Sequence, residues 1–175
     1  AFPQCPMTFD HTVLLNMFQN VSSDIAARGI IEDGTAIGMG LANAISRLKD
    51  SQAKSKVIIL LTDGSNNRGE VSPLTAAEMA KSFGIRVYTI GVGTNGTAPY
   101  PVQGAFGKQY VNVAVEIDED VLRQIAQTAN GQYYRATSNS KLKEVYEEID
   151  KLERTKLQVK EFSKNQEEYQ PLALA

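Results

Sequence analysis

Asp63 and Thr35 are the residues whose types and settings point to chemistry. Asp63 follows the apolar run Val57-Ile58-Ile59-Leu60-Leu61 after a single threonine and precedes Gly64. Open α/β sheets bind ligands beyond the C-terminal ends of their strands, where this carboxylate would lie. Taken alone, Asp63-Gly64 is also what a plain turn requires. Thr35 opens a helical pattern after Glu32-Asp33-Gly34, and alone it reads as an N-cap, which hydroxyl residues favour. Together they offer a carboxylate and a hydroxyl to a hard cation such as Mg²⁺ or Mn²⁺. Such an ion wants about six oxygen ligands and keeps some as water. Two side chains do not complete that shell. A further acidic or hydroxyl cluster is required, and no Asp-x-Ser-x-Ser stretch occurs in the sequence.

Neighbouring residues extend the candidate site. Asp33 precedes Thr35, and Ser65, Asn66, Asn67 and Glu70 follow Asp63. They are expected either to surround the cation behind its ligands or to touch a partner, and as turn residues they need no further role. An EF-hand would need glycine at its sixth position and glutamate at its twelfth. Arg68 and Leu74 stand there instead. Gly91-Val92-Gly93-Thr94-Asn95-Gly96 matches a dinucleotide fingerprint after a strand, but Thr97-Ala98-Pro99-Tyr100-Pro101 follows where a helix should begin. For a hydrolase, Asp63 would need a second carboxylate or a general acid. Asp33 could serve by position, yet nothing selects it. His11 and Cys5 have no motif around them. The chain is expected not to be an enzyme.

Composition narrows the classes. The 175 residues fit one domain, with 42% apolar and 22% charged residues and a formal net charge of -2. A global basic field for nucleic acid is absent. The longest apolar run is far too short for a membrane helix of roughly 20 residues. One cysteine allows no internal disulfide.

The elements that must position these residues follow from periodicity. Val13, Leu14, Met17, Phe18, Val21 and Ile25 share one helical face behind Asp10. A second helix starts near Thr35 or Ala36, with Ile37, Leu41, Ile45 and Leu48 inward; Gly38 and Gly40 suggest a close approach there, such as a neighbouring strand. Lys56–Leu61 and Ile85–Val92 read as strands buried on both faces, as in a helix-covered parallel sheet. Between them Ser72-Pro73 starts a helix, giving a βαβ unit. Residues 94–117 are an irregular or hairpin insertion. Asp118-Glu119-Asp120 opens a helix, Gln132–Ala136 is a short strand, and Ser140 caps a last helix. Two buried strands and one short one are few for such a sheet. Earlier strands are expected beside Val57–Leu61, with a domain-swapped partner as the alternative.

The run Val57-Ile58-Ile59-Leu60-Leu61-Thr62-Asp63-Gly64, with Asp33-Gly34-Thr35-Ala36-Ile37-Gly38 upstream and Ile90-Gly91-Val92-Gly93 downstream, resembles the von Willebrand factor type A (vWA) domain. The span from about Phe2 to Lys156, including Gly96-Thr97-Ala98-Pro99-Tyr100-Pro101-Val102, is similar to the version in the bacterial Bat (Bacteroides aerotolerance) membrane proteins. The resemblance implies a doubly wound, mostly parallel α/β sheet covered by helices, here without its first strands. Residues 1–156 would be the C-terminal two-thirds of one domain, and 157–175 a tail leading toward a membrane anchor.

It also implies a metal ion-dependent adhesion site (MIDAS), with Thr35 as the threonine of its second loop and Asp63 as the aspartate of its third. The first loop of that site, Asp-x-Ser-x-Ser, would have to come from the parent chain before Ala1. The role would be protein binding, with a partner carboxylate as last ligand and other Bat-type proteins as candidate partners. The domain would sit at the bacterial cytoplasmic membrane, facing the periplasm. A metal-free assembly domain with a vestigial site is the alternative.

Overall fold

In the computed structural model, residues 5–19, 21, 34–93, 96–104, 107–115 and 117–169 are described. The order is α1 (His11–Gln19), α2 (Ile37–Leu48), β1 (Val57–Thr62), α3 (Pro73–Ser82), β2 (Arg86–Val92), β3 (Gly96–Gly104), β4 (Gly107–Val115), α4 (Glu119–Thr128), β5 (Tyr133–Ala136) and α5 (Asn139–Tyr169). Strands β1, β2 and β5 form a parallel sheet with β2 central. Val57 pairs with Arg86 and Thr62 with Gly91, so β1 and β2 end at one rim.

Helices cover both faces, as the doubly wound reading requires. Ile58 and Val87 point into a cluster with Ile37, Leu41 and Ile45 of α2, Ala76, Ala77 and Ala80 of α3, and Leu122 and Ile125 of α4. Tyr88 and Ile90 point the other way, against Val145 and Ile149 of α5. The alternation follows from the strand pleat, and a central strand buried on both sides must be apolar at every position or satisfy its polar ones. Thr89 obeys the second condition: it is fully buried and its hydroxyl donates to the Leu122 carbonyl at 2.9 Å.

β2 is buried on both faces as expected, but β1 is not. Ile59 is 37% exposed and Leu61 46%. Both lie on the α5 face, beside Tyr88 and Ile90, and among the described residues no strand pairs with the outer edge of β1. Helix α1 forms over part of its expected span, with the Asp10 carboxylate accepting from the Thr12 and Val13 amides. None of its residues is buried, so the apolar face finds no cover here. Ile25, expected on the same stripe, lies outside the described residues.

Other boundaries shift for local reasons. α2 starts at Ile37, after Ala36 rather than after a Thr35 cap. α3 begins at Pro73 behind Ser72, as read from the sequence. The insertion is a long regular hairpin, with Gly96 opposite Val115 and Gly104 opposite Gly107. Pro99 and Pro101 are tolerated because a two-stranded ribbon leaves each strand an unpaired edge. Asp118 caps α4 by accepting from the Val121 amide at 3.1 Å. The last helix is capped by Ser138, not Ser140: the Ser138 hydroxyl accepts from the Lys141 amide at 3.2 Å. α5 then continues to Tyr169, through the segment that alternates only weakly in sequence.

One network fixes α5 to the sheet. The Glu153 carboxylate accepts from the Arg86 guanidinium, the Tyr88 hydroxyl at 2.5 Å and the Ser55 hydroxyl at 3.1 Å. Its side chain is 13% exposed. Burial pushes its pKa up, but the hydrogen bonds from Arg86 and Tyr88 and the Arg86 charge outweigh that and hold it below its ordinary value. Lys156 lies over the Tyr88 ring, 5.6 Å from its centroid.

Candidate functional site

β1 delivers Asp63 to the rim as the first residue past the strand. Thr62, buried at its end, shapes the turn: its hydroxyl accepts from the Gly64 amide at 3.3 Å and donates to the Gly64 carbonyl at 3.1 Å. The Asp63 side chain is thereby turned outward and exposed. It makes no hydrogen bond or ion pair among the described residues.

Thr35 reaches the same turn from the N-terminal side of α2. A β-carbon built on Gly64 would lie 3.4 Å from the Thr35 hydroxyl oxygen, an ordinary contact distance. The two sequence-selected residues are thus brought together at one rim. Asp33 lies outside the described residues.

What joins the loops is a set of bonds from the residues after Asp63. The Asn67 side-chain oxygen accepts from the Thr35 amide at 2.7 Å. The Thr35 carbonyl accepts from the Asn67 amide at 3.0 Å and the Arg68 amide at 3.2 Å. The Asn66 side-chain oxygen accepts from the Ile37 amide at 2.8 Å and, at 3.5 Å, from that of Gly38. The first amides of a helix have no partner within it, and Ala36 has no side-chain acceptor to give. Asn66 caps α2 from across the rim instead. Ser65 and Glu70 are exposed.

Two glycines make this closeness feasible. At Gly38 a β-carbon would meet the Val71 carbonyl oxygen at 2.0 Å, so the segment leading into α3 lies directly on the first turn of α2. The close approach read from the sequence is real, though its source is that segment and not a strand; Gly40 faces open space. Gly34 has φ of +132°, and a β-carbon there would lie 2.5 Å from the Arg68 side chain and 2.8 Å from the Asn67 side-chain oxygen.

Beside the junction opens a cleft of about 520 Å³ lined by Ser65, Ile117, Asp118, Glu119, Asp120 and Arg123. Glu119 pairs with Arg123 at 2.8 Å and Arg135 at 3.2 Å. The Arg123 guanidinium lies 5.0 Å from the Tyr133 ring centroid. Burial is the largest cause raising the Tyr133 phenol pKa, with Glu119 adding and Arg135 opposing. Sequence reading missed this flank. Asp118-Glu119-Asp120 signals a helix start, but only the fold places that start beside Ser65.

The donor chemistry at the junction suits a hard cation, being a carboxylate and a hydroxyl. It is not a complete shell: among the described residues no group of three or more His, Cys, Asp or Glu gathers as a metal site. A helix-covered parallel sheet with this rim is matched over residues 11–148 by the family model of the von Willebrand factor type A domain. The chain belongs to that family. vWA domains usually mediate protein interactions.

This vWA domain is similar to the crystal structure of BatB from Bacteroides thetaiotaomicron, with 30% identity, TM-score 0.68 and coverage of 87% of this chain and 74% of that one. An aerotolerance-related membrane protein from Bacteroides fragilis gives 28% identity, TM-score 0.66 and coverage of 86% and 74%. The resemblance to Bat-type domains seen in the sequence therefore holds. Proximal thread matrix protein 1 from the mussel byssus, described with a zinc-occupied MIDAS motif, gives 26% identity, TM-score 0.60 and coverage of 85% and 31%.

Among sequence relatives, a UPF0353 protein of Nocardia farcinica is 38% identical over 102 residues, covering 53% of this chain. An uncharacterized protein of Borreliella burgdorferi is 26% identical over 129 residues, covering 73% of this chain. The vWA domain spans 30% and 38% of the length of these two curated relatives.

Proposed function

We propose that this vWA domain is a metal ion-dependent protein-binding module of a membrane-anchored bacterial protein. The observation that carries the reading is the approach of the Thr35 hydroxyl to Gly64, next to Asp63, at the C-terminal rim of the sheet, with the exposed Asp63 carboxylate making no hydrogen bond or ion pair among the described residues. Thr35 and Asp63 would hold Mg²⁺ or Mn²⁺, with an Asp-x-Ser-x-Ser segment of the parent chain completing the protein's share. The cation would supply Lewis acidity toward a carboxylate of the partner protein. The chain's own contribution is to orient one hydroxyl and one carboxylate and to present the acidic cleft beside Ser65 to flanking partner residues. The zinc-occupied MIDAS motif of the mussel protein supports the metal, and the aerotolerance-related membrane protein of Bacteroides fragilis supports the anchor. Other Bat-type proteins are the first candidate partners, and the periplasm is the expected side. Among the described residues no helix is long and apolar enough to cross a membrane.

The test is isothermal calorimetry of the full parent chain with Mg²⁺ and Mn²⁺. Binding heat lost in Asp63→Ala supports the reading; no heat in the wild type removes the metal. A metal-free assembly domain is the second reading, favoured by the direct hydrogen bonds of Asn66 and Asn67 that join the two loops. Partner capture that survives chelator would select it. Turnover abolished by Asp63→Ala would instead make the chain a hydrolase.

A further inference from the structure

We infer that Asn66 and Asn67 are positioning residues: they assemble the Thr35–Asp63 junction before any cation arrives, and Asn67 sets where the Thr35 hydroxyl stands. The second part rests on the metal reading proposed above; the first does not.

The geometry is specific. Thr35 is held on both sides of its peptide by the same residue, its amide donating to the Asn67 side chain at 2.7 Å and its carbonyl accepting from the Asn67 amide at 3.0 Å. That double bond set fixes the backbone from which the hydroxyl projects toward Gly64. Asn66 binds the next free amides, Ile37 and Gly38, and so ties the whole start of α2 to the Asp63 loop. The bonds span 32 and 29 residues of sequence, so they join separate loops rather than closing one turn. Neither asparagine offers its side-chain oxygen outward, since both oxygens are occupied by backbone donors. A partner-contact role for those two oxygens is thus displaced by an internal one. Groups standing behind metal ligands typically alter affinity 10–100-fold when removed, because they fix ligand orientation.

Amide hydrogen exchange by NMR in excess chelator tests the first part. Wild-type Thr35, Ile37 and Gly38 amides should be protected without metal. Asn67→Ala should speed exchange at Thr35, and Asn66→Ala at Ile37 and Gly38. Asn67→Asp and Asn66→Asp keep an acceptor oxygen and should restore protection. Unchanged exchange in both alanine variants would overturn the inference.

Mn²⁺ titration tests the second part. Asn67→Ala should weaken binding about tenfold or more, with Asn67→Asp restoring it, while the unfolding midpoint moves only by the few degrees expected for one lost cap. Unchanged affinity in Asn67→Ala would overturn the positioning role. Absence of any Mn²⁺ effect in the wild type would overturn the cation reading and that role with it, whereas protected amides would still uphold the metal-free interlock.

Discussion

The side-chain oxygen of Asn66 lies 2.8 Å from the backbone amide of Ile37, so the loop after β1 caps the helix that begins 29 residues earlier. The rim is consequently built by two loops that complete each other. Changes in one should be felt in the other, and the packing at Gly38 gives a direct handle.

Gly38→Ala would drive a methyl group into the Val71 carbonyl, whereas Gly40→Ala would enter open space. The first should cost about 2 kcal/mol through overpacking. The second should gain about 0.5–1 kcal/mol, since alanine is the better helix former. Urea unfolding of both variants would check this, and similar midpoints for the two would contradict the packing described.

Glu153 should make the fold acid-sensitive. Its carboxyl is held below its ordinary value of 4.5, so the ionised form is the one the fold prefers. The stability it contributes is complete above that ordinary value and is lost as pH falls through the lower folded value. Glu153→Gln should destabilise the chain by about 2 kcal/mol near neutrality, less than for a fully buried pair because both partners are partly solvated. Thermal unfolding followed from neutral pH into acid should show a smaller fall for the variant than for the wild type.

Ile59 and Leu61 are exposed on a strand whose outer edge is unpaired among the described residues. Such a strand templates association. Ile59→Thr with Leu61→Thr should reduce self-association of this 175-residue chain in light scattering while far-UV circular dichroism stays unchanged. Equal scattering from both forms would place the sticky surface elsewhere.

Much of the fold was legible because its signals are local. The unbroken apolar run of β2, Pro73 behind Ser72, and Asp118 before an apolar stripe each carry their own reason. The misses have non-local causes. Burial of β1 depends on neighbours that periodicity does not show. Ser138 and Ser140 both stand at the start of the last helix, and only coordinates decide which caps it. At the site, residue type and resemblance point to Thr35 and Asp63, and the fold sets the Thr35 hydroxyl beside Gly64. The bonds of Asn66 and Asn67 were hidden, since an asparagine pair after Asp-Gly looks like any turn until the chain returns. The Glu119–Arg135 flank was hidden for the same reason.

The most direct measurement is paramagnetic broadening of the amide NMR spectrum by substoichiometric Mn²⁺. Signals from Thr35, Gly64 and Ser65 should broaden first, those near Asn130 at the opposite end of the sheet should persist, and Asp63→Ala should abolish the selectivity. Broadening that ignores Thr35 and Gly64, or that survives Asp63→Ala unchanged, would contradict a cation site at this rim.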